Sequence, residues 1–279
     1  NTGVISHPEV AELFEDLGDS CKLEIANEEA KKRLIWKRGR WEAIPSGLAG
    51  AVRTPLFTFR DKIRILGEPF RKPGTNPDEN LSDLVKRRMG QSFLDYAVDP
   101  FIKGVYAGDT EYLIPRYALP KLYRLEQEYG SFIGGSIKKK RKEKDPRLKK
   151  VSREVFSVEG GLGNLVAALL KGCGEENLLL GRKEIKVEKK SGGGFRVHPG
   201  SPAEAIETEK VITTTGSFAL PALLPFVDSD QMQQINNLIY ARVAEIAYGF
   251  KEWKGERLDA FGGLVPSKEN RDVLGILFP

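Results

Sequence analysis

A glycine-rich segment near the middle of the chain has the residue types that could hold a phosphate group. Gly161 and Gly163 follow a predicted strand and open a predicted helix, and Glu184 lies about twenty residues further on. This order is typical of dinucleotide binding, where the helix N-terminus holds the pyrophosphate. Val166, however, occupies the place of the third glycine. We interpret the segment as a tight strand-to-helix turn, with pyrophosphate binding as the less favoured alternative, and leave the cofactor-binding residues unknown.

Cysteine, histidine and serine give little support for metal or nucleophilic chemistry. The chain has two cysteines, Cys21 and Cys173, and two histidines, His7 and His198. They cannot supply a disulfide framework or a four-ligand Cys/His metal cluster. No Gly-x-Ser-x-Gly elbow occurs that would present a nucleophilic serine. We therefore predict no metal site and assign no catalytic side chain.

The positive charge of the chain is concentrated in one run. The formal net charge is +5, and residues 138–150 alone contain nine basic and two acidic side chains. Such a run can meet anionic lipid headgroups or nucleic acid, or it can be a solvated helix end. No aromatic residue interrupts it and no nucleic-acid-binding motif accompanies it. We predict no nucleic-acid partner and leave the role of the run open.

The elements around these residues indicate a folded chain with a helical middle part. The 279 residues suit one large domain or two ordinary ones, and no apolar run reaches the roughly 18 to 20 residues that cross a bilayer. Residues 1–57 predict a helix after Ser6-His7-Pro8-Glu9 and a β-hairpin with strands at 33–36 and 41–44. Residues 58–150 show helical spacing, with Gly90 as a joint.

The remaining residues, 151–279, predict a mixture of strands and helices. We expect strands at 154–158, 177–180 and 210–215, a helix at 164–171, and a hairpin with strands at 185–189 and 195–198. Further strands are predicted by the alternating side chains at 243–249 and by the apolar segments 264–265 and 273–278. The fold class is therefore α+β, with an all-helical insert between sheet-containing parts.

Several segments together resemble the oxygen-dependent protoporphyrinogen oxidase family, whose relatives include bacterial coproporphyrinogen oxidases. The strongest are Arg87-Arg88-Met89-Gly90 and the run from Asp99-Pro100-Phe101 to Gly108-Asp109. Phe261-Gly262-Gly263-Leu264-Val265-Pro266-Ser267 is nearly as similar, and Lys210-Val211-Ile212-Thr213-Thr214-Thr215-Gly216 resembles a middle segment of the family. The resemblance covers essentially the whole chain.

The resemblance implies a partial monoamine-oxidase-like flavoprotein that uses FAD. It divides the chain into a substrate-domain segment with the hairpin (1–57), a helical membrane-associated domain (58–150), a partial FAD-domain segment (151–227) and substrate-domain strands (228–279). The family's glycine-rich FAD fingerprint and its last flavin-contacting segment find no counterpart in these residues. We therefore expect an interior fragment that retains little FAD and is inactive by itself.

The resemblance also implies a tetrapyrrole substrate and names four substrate-binding residues. Arg33 matches the arginine that pairs with a substrate propionate, Leu264 and Leu277 match residues that sandwich the ring, and Gly104 matches a glycine whose backbone lies against it. A flat apolar ring with acidic edges needs an apolar slot and a cationic anchor. The implied reaction passes hydride from a bridging carbon to flavin, which molecular oxygen reoxidises to yield peroxide.

Alternative functions stay open at this point. The substrate could be coproporphyrinogen III rather than protoporphyrinogen IX, or the chain could belong to another amine-oxidase-like flavoprotein. A different class would be a non-catalytic membrane-surface module. We expect a cytoplasmic location in a bacterium with peripheral association to a membrane surface, and a homodimer is a further expectation.

Overall fold

A computed structural model describes residues 2–142, 146–147, 151, 154–200, 205–255 and 259–278. The chain divides into two compact units, one formed by Asn1–Val166 with Ala241–Pro279 and the other by Ala167–Tyr240. Helices and mixed sheets are both present, so the α+β prediction is confirmed. The division into four segments made from the sequence stays a prediction.

The strands and helices of the described residues have the following bounds. The strands are β1 (Gly3–Val4), β2 (Leu23–Ile25), β3 (Arg33–Lys37), β4 (Arg40–Ala43), β5 (Val155–Val158), β6 (Lys186–Lys189), β7 (Phe195–His198), β8 (Ile206–Thr208), β9 (Gly262–Leu264) and β10 (Gly275–Leu277). The α-helices are α1 (Pro8–Leu17), α2 (Gly47–Arg53), α3 (Phe59–Leu66), α4 (Leu81–Arg88), α5 (Gln91–Phe93), α6 (Asp99–Tyr106), α7 (Pro115–Ala118), α8 (Pro120–Tyr129), α9 (Phe132–Lys142), α10 (Leu162–Cys173), α11 (Leu220–Leu223) and α12 (Ser229–Asn236).

The larger unit contains two sheets. In the first, β5 pairs in antiparallel fashion with both β1 and β2. The second has the strand order β10-β9-β3-β4, in which β3 and β9 are parallel and the other pairs are antiparallel. The hairpin of β3 and β4 and the helix α1 confirm the predictions for residues 1–57. The parallel pairing joins segments that are far apart in sequence.

The helical part of the larger unit surrounds a core of its own. The cluster contains seven buried side chains: Leu81, Leu84, Val85, Met89, Leu94, Ile102 and Phe132. Asn80 caps α4 by accepting a hydrogen bond from the Asp83 amide at 2.8 Å, as its residue type favours. Gly90 has φ of 99° between α4 and α5. The predicted joint at Gly90 is confirmed.

The helix that follows Gly90 changes its winding before a proline. Residues Leu94–Val98 form a π-helical turn between α5 and α6. Pro100, in the first turn of α6, has no amide hydrogen and cannot continue the α-helical hydrogen-bond pattern across this point. The wider turn lies directly ahead of it, a place where such irregularities are commonly found.

The described residues of the smaller unit form a three-stranded antiparallel sheet, the larger part of α10, and the helices α11 and α12. The order is β6-β7-β8, and the predicted hairpin of 185–189 and 195–198 is confirmed as β6 and β7. On the exposed side Lys190 and Arg196 both contact Glu207, at 2.6 and 2.8 Å. The hydrogen bonds from these two cations lower the pKa of the Glu207 carboxyl to about 2.

Three predicted strands are wrong. Residues 177–180 begin in a 3-10 turn and form no strand, and 210–215 and 243–249 are irregular. Their apolar side chains are largely exposed, for example Ile212 at 90% and Ile246 at 70%. Among the described residues no neighbouring strand pairs with them, and an alternating pattern without a partner cannot satisfy the backbone of a strand.

The helices of the described residues are all too short or too polar to span a bilayer.

Candidate substrate-binding site

Three of the four predicted substrate-binding residues lie on adjacent strands of one sheet. The register aligns Arg33 of β3 with Gly262 of β9, and Gly262 in turn with Leu277 of β10. Residues aligned across a sheet point to the same face. Arg33 and Leu277 therefore stand on one face, separated by a residue without a side chain.

The next row across the sheet carries Leu264. Here Ile35 of β3 aligns with Leu264 of β9, and Leu264 with Gly275 of β10. Ile35 and Leu264 point to the same face as Arg33 and Leu277, because side chains two residues apart along a strand share a face. Each of the two leucines thus stands opposite a glycine, where a Cβ atom would meet backbone atoms of the neighbouring strand.

Gly104 brings a helix onto the same face. It lies in α6, and a Cβ atom at this position would overlap the Cδ2 methyl group of Leu264. With glycine at this position the helix backbone approaches the leucine closely while the leucine keeps its present conformation. The structure therefore brings together the four residues that the resemblance selected, although their role in binding a substrate stays a prediction.

Arg33 has the surroundings expected of an anion anchor. Its side chain is exposed, and its guanidinium carbon lies 5.8 Å from the centre of the Phe261 ring. Within the described part of the chain no carboxylate pairs with Arg33. The backbone of Arg33 is fixed, since its carbonyl oxygen accepts a hydrogen bond from the Ile44 amide at 2.8 Å. A fixed arginine without a partner can accept a carboxylate from a ligand.

A small core that the sequence did not assign to the site borders the surface formed by Arg33, Gly104, Leu264 and Leu277, which we call the slot. Ile35, Leu56 and Tyr96 are buried together, and Leu264 packs against them. The Tyr96 hydroxyl donates a hydrogen bond to Glu269 at 3.0 Å. Burial, together with this bond to Glu269, raises the pKa of Tyr96. The helical spacing of residues 58–150 carries no information about the polar contact of Tyr96, so the sequence does not predict it.

Lys37 covers the other side of Tyr96. Its Nζ lies 4.4 Å from the centre of the Tyr96 ring and donates hydrogen bonds to the carbonyl oxygens of Leu56 at 2.7 Å and Pro55 at 3.1 Å. Burial and the neighbouring charge of Arg38 lower the pKa of Lys37. Through the cation–π contact and the two hydrogen bonds, the ammonium group of Lys37 holds Tyr96 together with Pro55 and Leu56 next to the slot. Lys37 is therefore a structural group and not a second anion anchor.

The glycine-rich turn at 160–163 does not form a nucleotide-binding unit. The strand before it, β5, is antiparallel to both of its neighbours, whereas a dinucleotide fold has parallel strands. The strand after α10, β6, belongs to a different sheet. Amide hydrogens of the turn are already bonded, that of Gly161 to Val158 O at 2.8 Å and that of Asn164 to Gly161 O at 2.9 Å. The described residues do not fit an FAD pyrophosphate here, and we assign none of them to FAD.

Comparison with known proteins gives the family of this chain. The model of the family "Flavin containing amine oxidoreductase" matches residues 2–278. The chain belongs to this family.

Two of the individual relatives are protoporphyrinogen oxidases. Protoporphyrinogen oxidase 2, chloroplastic/mitochondrial, of Arabidopsis thaliana is 28% identical over 307 residues, covering 100% of this chain and 60% of the relative. Protoporphyrinogen oxidase of Homo sapiens is 28% identical over 264 residues, covering 89% of this chain and 54% of the relative. The chain thus spans little more than half the length of these curated relatives.

A solved structure has a similar fold. The crystal structure of a protein from Exiguobacterium sp. 255-15, described as a putative protoporphyrinogen oxidase, superposes with a TM-score of 0.63 at 17% identity. The match covers 95% of this chain and 58% of that chain. At this identity the comparison supports the fold.

Proposed function

We propose that the protein containing this chain is an FAD-dependent oxidoreductase that oxidises protoporphyrinogen IX to protoporphyrin IX with molecular oxygen, in haem biosynthesis. The observation that carries the proposal is the alignment of the unpaired Arg33 with Leu277, next to Leu264 and Gly104. A cation at one end of an apolar surface suits a flat ring with a carboxylate edge. The protoporphyrinogen oxidases among the relatives support this choice of substrate.

In this proposal each of the four residues has a separate part in binding. The Arg33 guanidinium pairs with a propionate and sets the orientation of the ring. Leu264 and Leu277 provide an apolar wall that excludes water from one ring face, and Gly104 allows the backbone of α6 to close the slot beside Leu264. FAD is the electron acceptor that family membership implies, and we derive no step through it because no described residue is assigned to it.

The test is a fluorescence titration of the full chain with protoporphyrin IX, with coproporphyrin III measured in parallel. Arg33→Ala is expected to weaken protoporphyrin binding by about 1 to 3 kcal/mol, the scale of a lost charge-assisted pair. Arg53→Ala is the matched control, since Arg53 is an exposed arginine at the end of α2. Equal affinities for the wild type and Arg33→Ala, both folded by circular dichroism, would contradict the proposed anchor. Preference for coproporphyrin would change the substrate and keep the site.

We also propose a peripheral membrane contact through the helix α3. Four apolar side chains at helical spacing are exposed there: Phe59 at 77%, Ile63 at 54%, Leu66 at 71% and Phe70, just beyond the helix, at 91%. Arg60 is exposed on the same helix. An apolar stripe flanked by basic side chains is typical of a helix that lies in the membrane interface. The proposed location is accordingly a cytoplasmic membrane surface.

Vesicle co-sedimentation tests the membrane contact. The triple variant Phe59→Ser, Leu66→Ser and Phe70→Ser is expected to lose binding to vesicles of mixed neutral and anionic lipid. Tyr112→Ser, which removes a single side chain that is 82% exposed, is the control. Binding that the triple variant retains but high salt abolishes would point to the basic run at 138–150 instead. Residues 143–145 and 148–150 of that run lie outside the described residues. The proposed homodimer is tested by sedimentation equilibrium of the same samples.

A further inference from the structure

Three consecutive residues after β9 each contact the segment that leads into α6. The Ser267 hydroxyl donates to Asp99 Oδ1 at 2.6 Å, and the Ser267 amide donates to Asp99 Oδ2 at 2.8 Å. Lys268 Nζ lies 2.6 Å from Asp95 Oδ2. Glu269 accepts from the Tyr96 hydroxyl at 3.0 Å. We call this set of contacts the 267–269 clamp.

The clamp depends on the helix irregularity ahead of α6. Asp95 and Tyr96 lie in the π-helical turn, and Asp99 is the first residue of α6. Asp99 lies about one helical turn beyond Asp95 and Tyr96, and each of the three side chains contacts the 267–269 turn. Glu269 also accepts from the Arg38 amide at 2.9 Å. The clamp therefore joins the helix to the end of β9 and to the turn of the β3–β4 hairpin.

The clamp and the contact between Gly104 and Leu264 involve the same two parts of the chain, α6 and β9 with the turn that follows it. Gly104 is five residues beyond Asp99 on α6, about 7.5 Å along the helix. Leu264 is three residues before Ser267, about 10 Å along an extended chain. Val265 and Pro266, between them, are buried. A shift of the helix start relative to the end of β9 would therefore be transmitted to the contact between Gly104 and Leu264, because packed elements move as rigid units.

Stability alone is a weak explanation for the clamp. Ser267 is exposed, and in the pair of Lys268 with Asp95 the lysine side chain retains 55% of its accessible surface and the aspartate 11%. Exposed ion pairs and hydrogen bonds contribute little to folding free energy. Their geometric effect is larger, since two bonds from one residue to one carboxylate define both distance and orientation.

We propose that Asp99 and Ser267 are positioning residues for the substrate slot, holding α6 against β9 so that Gly104 stays in contact with Leu264. The proposal rests on the proposed function for its effect on ligand binding. It makes a separate statement about geometry, which can be tested without any ligand.

The first experiment measures the contact itself, by NMR on the full chain with labelled leucine methyl groups and glycine. A nuclear Overhauser effect between Gly104 Hα and a Leu264 methyl group is expected in the wild type, in Ser267→Thr and in Asp272→Asn. Asp272 is an exposed acid on the same segment with no partner among the described residues. In Ser267→Ala and Asp99→Asn the effect should be lost or at least halved. An undiminished effect in both variants would overturn the proposal.

The second experiment asks whether the contact matters for the slot. Ser267→Ala should weaken protoporphyrin IX binding about tenfold, the scale reported for residues that act through a packed element, and shift the thermal midpoint by less than about 3 °C. In a Leu264→Ala background the same substitution should have no further effect. An additive tenfold loss there, or wild-type affinity in Ser267→Ala alone, would overturn the positioning role. If the wild type binds no porphyrin while the NMR contact responds as expected, the proposed function fails and the positioning of the contact stands.

Discussion

Arg88 and Glu68 form an ion pair in the interior of the helical part, and both side chains are completely buried. Arg88 also reaches Glu126 at 3.2 Å and the Gly130 carbonyl oxygen at 2.8 Å. Glu68 accepts further hydrogen bonds, including one from the Ser131 hydroxyl at 2.7 Å. Each buried charge thus has an opposite charge and several hydrogen bonds, which is the condition under which a buried pair can persist.

Replacing Arg88 by leucine should destabilise the protein strongly. Arg88→Leu leaves the buried Glu68 carboxylate without its counter-charge, and such losses cost about 3 to 5 kcal/mol. The free energy of unfolding in urea checks this. Arg124→Leu is the control, because Arg124 is an exposed arginine of α8 whose Nε donates a hydrogen bond to the Pro120 carbonyl oxygen at 3.3 Å. A loss in Arg88→Leu no larger than in Arg124→Leu would contradict the importance of the buried pair.

Glu68 should also make the stability sensitive to acid. Burial by itself would raise the pKa of Glu68, but hydrogen bonds from Ser131, the Phe132 amide and Arg88 outweigh it, so the pKa lies below its usual 4.5. A carboxyl whose pKa is lowered on folding contributes stability that is complete above the unfolded value and is lost as pH falls through the folded value. Unfolding free energy should therefore fall as the pH drops below about 4.5.

Two variants isolate the contribution of Glu68 to this acid sensitivity. Glu68→Gln should be less stable than the wild type at neutral pH and should show a shallower loss of stability in acid. Glu128→Gln, at an exposed position of α8, should reproduce the wild-type slope. An unchanged slope in Glu68→Gln would assign the acid sensitivity to other carboxylates.

The elements that the sequence predicted correctly are those whose signals are local. The hairpin of β3 and β4 follows from apolar runs on either side of a glycine-containing turn, and α1 follows from a proline in its first turn. The strands expected at 210–215 and 243–249 failed because a strand needs a neighbour, and periodicity within one segment carries no information about its partner.

The residues of the site were harder to predict from the sequence than the strands and helices. By composition alone, Leu264 and Leu277 would be ordinary strand residues, and the resemblance alone singled them out together with Arg33 and Gly104. The contact between Asp99 and Ser267 joins residues 168 positions apart. Single-chain patterns do not encode such pairings, nor do they encode the register of β9 against β3, which aligns Arg33 with Gly262.

Gly104→Ala should impair ligand binding while leaving stability nearly unchanged. The added methyl group meets the end of the flexible Leu264 side chain, which can rotate away, and alanine is favoured over glycine within a helix by up to about 1 kcal/mol. The rotated leucine would then occupy the slot. Porphyrin affinity should fall several-fold, with the unfolding free energy within about 1 kcal/mol of the wild type. Combining Gly104→Ala with Leu264→Val, which shortens the opposing side chain, should restore part of the affinity. A double variant as weak as Gly104→Ala would argue against this contact as the cause.

Gly263→Ala should lower the stability of the protein and leave ligand binding unchanged, because Gly263 faces the other side of the same sheet. A Cβ atom there would overlap the ring of Trp41, which is held edge-to-face against Trp36 with ring centres 5.0 Å apart. The indole is large and packed, so we expect a loss of about 1 to 3 kcal/mol in unfolding free energy and a changed near-ultraviolet circular dichroism signal from the tryptophan pair. Gly192→Ala, which adds a methyl group in open space, is the control.

The affinity of Gly263→Ala for protoporphyrin distinguishes the two faces of the sheet. Since the new methyl group points away from Leu264 and Leu277, the folded fraction of Gly263→Ala should bind as tightly as the wild type. Gly104→Ala would then reduce binding with little change in stability, and Gly263→Ala would reduce stability with little change in binding. A binding defect in Gly263→Ala equal to that of Gly104→Ala would mean that the slot responds to distortion of the sheet as a whole, and the assignment of one face to the ligand would be wrong.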